Sequence, residues 1–275
     1  MRVEEHTITI DHVPVFYRDA ATPGADEPPT LYLHGAPTSS DDWIAFLELT
    51  GGIAPDLIGF GRSGKGGHLD FSPAGLTTFV ERFVAELGLE RINLVGHGWG
   101  GAIALLLAGR DRGRVQRLVL IDAVPLLEGF RWPRFVRLAR RPVIGELLMG
   151  SVNRSMLTRR LRAGTVRADA WSDAELAAVW ERFDQGTQRA LLRLHRRVDE
   201  ARLAELGSDL GALELPALVV WGERDPWFAV RFADAYAAKL PHAAVKRIPG
   251  AGHWPWRDDP SVIELVAEFL ARAQP

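Results

Sequence analysis

Between Ile92 and Gly109 a continuously apolar strand, "INLVG", runs into an apolar helix, "WGGAIALLLAG", with only His97 and Gly98 between them. Four glycines (Gly96, Gly98, Gly100 and Gly101) crowd that junction. A strand that turns into a helix over two residues needs backbone that approaches backbone closely, and glycine permits this because it lacks a Cβ. The stretch predicts a parallel strand end followed directly by a packed helix, which restricts the chain to sheets built from βα units.

The rest of the sequence repeats that rhythm. "HTITI" and "VPVFYR" open the chain as β, and "GADEPP" punctuates them. "TLYLHG" reads as a short buried strand. A helix follows over "SSDDWIAFLEL", with Ser39 or Ser40 as N-cap before Asp41 and Asp42. "GGIAPDLIGFGRSG" is a brief strand and a Gly-rich loop. "PAGLTTFVERFVAELGL" carries Leu76, Phe79, Val80, Phe83, Val84 and Leu87 at helical spacing. After the Gly-rich junction come strand "VQRLVLIDAV", strand "ALVVWGE", helix "VRFADAYAAKL", strand "AAVKRI" and a last helix, "SVIELVAEFLARA". Continuously apolar strands alternating with helices imply a mostly parallel sheet covered on both faces.

The rhythm breaks once. Residues 125–211 read as helical and Arg-rich with no buried strand, so the expected organisation is an α/β core of residues 1–124 and 212–275 with 125–211 inserted. The insertion holds sixteen arginines and eleven acids, a surplus of five positive charges in a chain whose net charge is −2. Arg131, Arg134, Arg137 and Arg141 fall at helical spacing opposite Trp132, Phe135 and Val136. They read either as a solvated face over a packed one or as an anion-attracting rim over a pocket.

Several classes are set aside by composition. The chain has no cysteine, which removes disulfides and thiolate catalysis. Its small net charge gives no global pull towards nucleic acid or membrane, and no stretch approaches the roughly 20 apolar residues of a bilayer span. The N-terminus "MRVEEHTITI" has acids and no apolar run, so a cytoplasmic protein is expected, as monomer or homodimer, with a small molecule as its partner. Neither a clustered His/Asp ligand set nor a dinucleotide-binding G-x-G-x-x-G is present, so no metal or organic cofactor is expected.

Two chemistry-bearing residues stand at later strand ends. Asp225 follows "ALVVWGER", and His253 lies in "GAGHWPW" after the next strand. Nucleophile, then acid, then histidine is the chain order of the α/β-hydrolase arrangement, with Gly-x-nucleophile-x-Gly at the strand-to-helix elbow. Asp225 would orient the imidazole of His253, which would act as general base. The N–H of Trp99, at the helix start, and that of Ala36, in the loop after His34-Gly35, would supply oxyanion donors. Asp122, at the end of "LVLID", is the alternative acid. His97 and His34 read as packing residues of the elbow and the oxyanion loop. At the nucleophile position itself stands Gly98.

From about residue 8 to the end the chain resembles the α/β-hydrolase superfamily. "HGAPTSS", "APDLIGFGRSGK" and "GHGWGG" resemble its haloalkane dehalogenase and epoxide hydrolase branch, which usually has Asp where this chain has Gly98. The resemblance implies a helical cap over the site at 125–211. It also exposes departures. Ala36 stands where such dehalogenases commonly place a halide-holding Asn. The three tyrosines, Tyr17, Tyr32 and Tyr236, all lie outside the insertion, where such epoxide hydrolases use cap tyrosines. Trp132, Trp171 and Trp180 are the alternative cap donors. Gly98 then has four explanations: a nucleophile-knockout variant, a native glycine over which the Asp225–His253 pair activates water or a substrate proton, a non-catalytic ligand-binding member, or attack by another side chain such as Asp122 or Ser39. The expected function is hydrolysis of a small apolar ester, haloalkane or epoxide.

Overall fold

The computed structural model describes residues 1–22 and 27–272. The punctuation expected at "GADEPP" lies in large part outside the described residues, as does the final alanine of the last helix.

Eight strands form one sheet: β1 (Glu4–Ile10), β2 (Val13–Ala20), β3 (Thr30–Leu33), β4 (Gly52–Pro55), β5 (Ile92–His97), β6 (Val115–Ile121), β7 (Ala217–Gly222) and β8 (Ala243–Ile248). Their order is β1-β2-β4-β3-β5-β6-β7-β8. β1 pairs antiparallel with β2, and β2 with β4, while every pairing from β4 onward is parallel. The core helices are α1 (Ile44–Thr50), α2 (Pro73–Glu86) and α3 (Trp99–Arg110). Ser39 caps a short 3-10 turn just before α1, accepting a hydrogen bond from the Asp41 N–H.

The apolar strands divide their side chains between two cores, because successive residues of a strand point to opposite faces. Leu31, Leu33, Leu94, Val219 and Trp221 pack with α2 and α3. Tyr32, Val95, Leu218 and Val220 pack with Phe46 and Leu47 of α1 on the other side. That two-sided burial is why these strands lack a polar alternation.

Between β6 and β7 the chain forms six helices: α4 (Arg134–Ala139), α5 (Ile144–Ser151), α6 (Arg154–Arg162), α7 (Asp173–Arg182), α8 (Gln185–Arg196) and α9 (Glu200–Leu206). Polar bonds fasten this segment to the core. Lys65 Nζ reaches Asp184 at 2.8 Å, and the Asp258 carboxylate accepts the Val166 and Arg167 N–H groups, each at 2.8 Å. Arg182 pairs with Asp41. Arg131, Arg134, Arg137 and Arg141 are exposed. The remaining helices are α10 (Arg231–Lys239), α11 (Pro255–Asp258) and α12 (Ser261–Leu270), of which α12 covers the α1 face. No helix among the described residues is long and apolar enough to cross a membrane.

Candidate active site

The elbow is pinned through its backbone. The Gly98 N–H donates to the Ile121 carbonyl at 3.2 Å, and its own carbonyl accepts from Val124 N–H at 2.9 Å. These bonds hold residue 98 at φ 53°, ψ −118°, a conformation that costs a non-glycine residue about 1–3 kcal/mol. The flanking glycines answer to space. A Cβ on Gly96 would stand 2.5 Å from the Gly100 carbonyl oxygen, one on Gly100 2.0 Å from the Leu33 carbonyl oxygen, and one on Gly101 2.5 Å from Ala123 Cβ. A Cβ on Gly98 would meet only Gly35 Cα at 3.4 Å and His253 Nε2 at 3.7 Å. The turn therefore has room for a side chain at 98, aimed at a histidine nitrogen.

That histidine is held from its other side. His253 Nδ1 lies 2.7 Å from Asp225 Oδ2, and Asp225 Oδ1 accepts the Trp227 and Phe228 N–H groups at 2.7 and 3.1 Å. Asp225 thus closes the turn after β7 and orients the imidazole at once. With Nδ1–H donating to a carboxylate, the Nε2 lone pair is left to accept a proton. The rings of Trp227 and Phe228 enclose the imidazole at centroid distances of 4.6 and 5.2 Å.

Asp122 sits behind this pair. One oxygen each of Asp122 and Asp225 and one ring nitrogen of His253 lie within 4.8 Å of one another. Both Asp122 oxygens are 3.2 Å from the Gly222 N–H. Burial, and then the neighbouring Asp225 carboxylate, push the Asp122 carboxyl well above its ordinary range. It is hydrogen-bonded to Asp225, and it is Asp225 that makes the bond to histidine.

Of the other residues expected at the site, Ala36, Trp99 and Gly98 line one cavity of about 430 Å³ together with His253. Trp99 is the first residue of α3, so its N–H has no intrahelical acceptor. Gly35 lies under the cavity rather than in its wall, and a Cβ there would stand 2.8 Å from His97 Nδ1. Neither Asp122 nor Ser39 reaches the cavity wall.

The two packing histidines are both buried and neutral. His97 Nε2 donates to the His253 carbonyl at 2.8 Å, and burial followed by the nearby His253 depresses its pKa well below the ordinary value. His34 Nε2 accepts the Leu57 N–H at 2.9 Å. Of the three tryptophans expected as alternative cap donors, Trp132 lines the cavity, while Trp171 and Trp180 do not. Two of the tyrosines serve the core: Tyr236 bridges Val124 and Leu126, and Tyr32 bonds Thr50.

A profile for the alpha/beta hydrolase fold matches residues 28–260. The chain belongs to the alpha/beta hydrolase fold family. Within this family it is 29% identical to a haloalkane dehalogenase of Bradyrhizobium diazoefficiens over 285 residues, covering 93% of this chain and 90% of that one. It is 26% identical to epoxide hydrolase 1 of Caenorhabditis elegans over 271 residues, covering 90% of this chain and 66% of the relative. Among solved structures, the haloalkane dehalogenase DbeA of Bradyrhizobium elkani superposes with a TM-score of 0.85 at 27% identity, covering 98% of each chain.

The hydrolase-fold cavity also holds residues that the sequence reading did not single out. His195, on α8, donates Nδ1–H to the Leu191 carbonyl at 2.9 Å and faces Trp99 Nε1 with Nε2 at 3.4 Å. Burial pushes its pKa down to about 4, so it is neutral at ordinary pH. The Trp99 indole N–H is thereby directed at His195. Arg159 and Arg160 of α6 also line the cavity, whereas Arg131, Arg134, Arg137 and Arg141, read as either a solvated face or a rim, do not. No sequence signal separated Arg160 from its neighbours, because "RSMLTRRLR" places Arg159, Arg160 and Arg162 around one helix whose inward face is set only by packing.

Proposed function

We propose that the protein is a hydrolase of small, largely apolar esters, in which the Asp225–His253 pair activates water directly over Gly98. The observation that carries this reading is the 3.7 Å between His253 Nε2 and the place a Cβ on Gly98 would occupy. Where relatives of this fold carry a nucleophile, this chain leaves space beside an oriented base.

The steps follow from that placement. His253 Nε2 takes a proton from water as its oxygen attacks the ester carbonyl carbon. The carbonyl π pair moves to oxygen, and the resulting oxyanion accepts hydrogen bonds from the Ala36 and Trp99 N–H groups, each such donor being worth roughly 10²–10³ in rate. The imidazolium, stabilised by Asp225, returns its proton to the leaving alkoxide, giving acid and alcohol. The ester class is favoured over the haloalkane class because Ala36 offers no side-chain donor to a halide and the Trp99 indole is directed to His195. The epoxide class lacks a cavity-facing acid, since His195 is neutral and spends its N–H on Leu191. Residues 125–211 act as the cap, and no cofactor takes part in this mechanism.

The test is hydrolysis of p-nitrophenyl acetate and butyrate by the parent, His253→Ala and Gly98→Ser. The parent should turn over slowly with no burst, and His253→Ala should lose about 10²–10⁴-fold of that rate. Activity that survives His253→Ala unchanged overturns the reading. A second reading, a ligand-binding member or a nucleophile-knockout variant, draws on the open space at Gly98. It predicts no turnover by the parent and activity only in Gly98→Ser.

A further inference from the structure

We infer that the cavity takes a substrate carrying a carboxylate, and that Arg160 of the cap is its anchor. The inference rests on the cavity serving a small-molecule substrate, as proposed above, but not on hydrolysis itself.

Arg160 lines the cavity, half-buried, in a wall that is otherwise largely aromatic and aliphatic. Its guanidinium lies 4.9 Å from the ring centroid of Trp227 and 5.1 Å from that of Phe135. Trp227 in turn packs on His253, so one indole separates the cation from the proposed base. Among the described residues no carboxylate forms an ion pair with Arg160, and no carbonyl accepts a hydrogen bond from its guanidinium.

Other arginines of the insertion contrast with it. Arg182 pairs with Asp41, Arg196 with Glu146 and Arg162 with Asp173, while Arg140 bonds the His195 and Val198 carbonyls. Burial lowers the Arg160 pKa with no acid to offset it, yet a guanidinium remains charged at neutral pH. A cation removed from water without an anion is costly unless something supplies the charge. Two aromatic faces supply part, and a bound anion would supply the rest through charge-assisted hydrogen bonds.

The chemistry of the wall selects the anion. One half-buried guanidinium, with exposed Arg159 nearby, matches a monoanion. A phosphate dianion would need further donors, which the apolar wall does not provide. A carboxylate also fits the planar fork of arginine in a bidentate manner. The ligand is therefore a short apolar chain with a carboxylate at the cap end and its reacting bond at the His253 end.

Binding separates this inference from the catalytic one. Octanoate and 1-octanol are titrated against the intact protein, read by intrinsic tryptophan fluorescence, in the parent and in Arg160→Gln, Arg160→Lys and Arg159→Gln. Circular dichroism melts confirm that each variant is folded. The parent should bind octanoate about tenfold or more tightly than 1-octanol, the scale of a hydrogen bond to a charged group. Arg160→Gln should abolish the preference while leaving 1-octanol unchanged, Arg160→Lys should keep only the part that a point charge supplies without the bidentate fork, and Arg159→Gln should keep most of it. Equal affinities in the parent overturn the inference, as does a preference that survives Arg160→Gln. Should Arg160→Gln fail to fold, the Arg160→Lys and parent titrations still decide: octanoate no tighter than octanol in both means no anchor. An octanoate preference without ester hydrolysis keeps the anchor and removes the hydrolase reading.

Discussion

The floor and the roof of the cavity are built by different means. On the floor, backbone bonds fix the elbow and the Asp225 turn, and their positions follow from the sheet: Gly98 is tied to β6 and its following loop, Asp225 follows β7, and His253 follows β8. The roof is held by side chains and by a few close approaches. Its α4–α5 portion keeps Leu138, Val143, Ile144 and Leu147 exposed. Besides the polar bonds described above, one contact ties the roof to the histidine loop itself. The His253 N–H donates to the carbonyl of Gly164, just after α6, at 2.6 Å, and a Cβ on Gly164 would stand 2.4 Å from the Trp254 ring. The reaction geometry proposed above is thus set at the sheet ends, and the proposed selection among substrates falls to the helices that close over them, with α6 registered directly on the histidine loop.

That division can be broken or sharpened by substitution. The largest effect belongs to the floor. Asp225→Asn should keep the fold but leave His253 in the wrong tautomer, lowering ester turnover by about 10³–10⁴-fold with every substrate alike. A loss confined to carboxylate-bearing substrates would contradict the division.

Gly98→Ser should come next, and with the opposite sign. The backbone bonds of residue 98 do not depend on its side chain, and the space above it is open. The variant should gain activity on small activated esters and show a burst of p-nitrophenolate, the signature of an acyl-enzyme. It should also lose about 1–3 kcal/mol in urea unfolding, because serine pays for the positive φ that glycine does not. A fully stable Gly98→Ser without a burst would mean that the elbow relaxes.

Gly164→Ala tests the joint between roof and floor. The added methyl group meets the rigid rings of Trp254 and Trp227 and must displace the His253 loop or lift α6. We expect kcat to fall while secondary structure by circular dichroism is unchanged. An effect on KM alone would make the joint part of the roof.

The smallest effect concerns Asp122. Its carboxyl is held protonated in the folded protein above the pH at which it ionises when unfolded. Its contribution is therefore complete below the unfolded pKa and is lost as pH rises towards the folded one. Asn presents a donor to Asp225 without that proton, so Asp122→Asn should flatten the decline of Tm that sets in as pH rises above the ordinary carboxyl range, and leave activity nearly intact. A steeper decline in the variant would place the charge on Asp122 instead of Asp225.

The floor was legible in the sequence and the roof largely was not, for a physical reason. Strand ends of a parallel sheet lie side by side in an order set by chain connectivity, so Asp225 and His253 could be placed beside the Gly98 elbow from their order alone. The central strands were visible because burial on both faces leaves few polar residues to interrupt them. In the insertion, helical periodicity located Trp132 and Val136, both of which line the cavity. It left Arg131, Arg134, Arg137 and Arg141 as either a solvated face or a rim, and all four are exposed and outside the cavity wall. Which arginine of α6 turns inward, and that His195 meets Trp99, depend on how short helices pack on one another, and no periodicity encodes that.

The freedom of Gly98 has a genetic side. From a GGT or GGC codon, one base change yields Asp, Ser or Cys, three residues that attack carbon in different ways. None would have to clear space first, because the flanking glycines already do so and the methylene would enter open room facing His253. With either codon, a single mutation would separate this glycine from several distinct chemistries, and glycine would be the neighbour they all share.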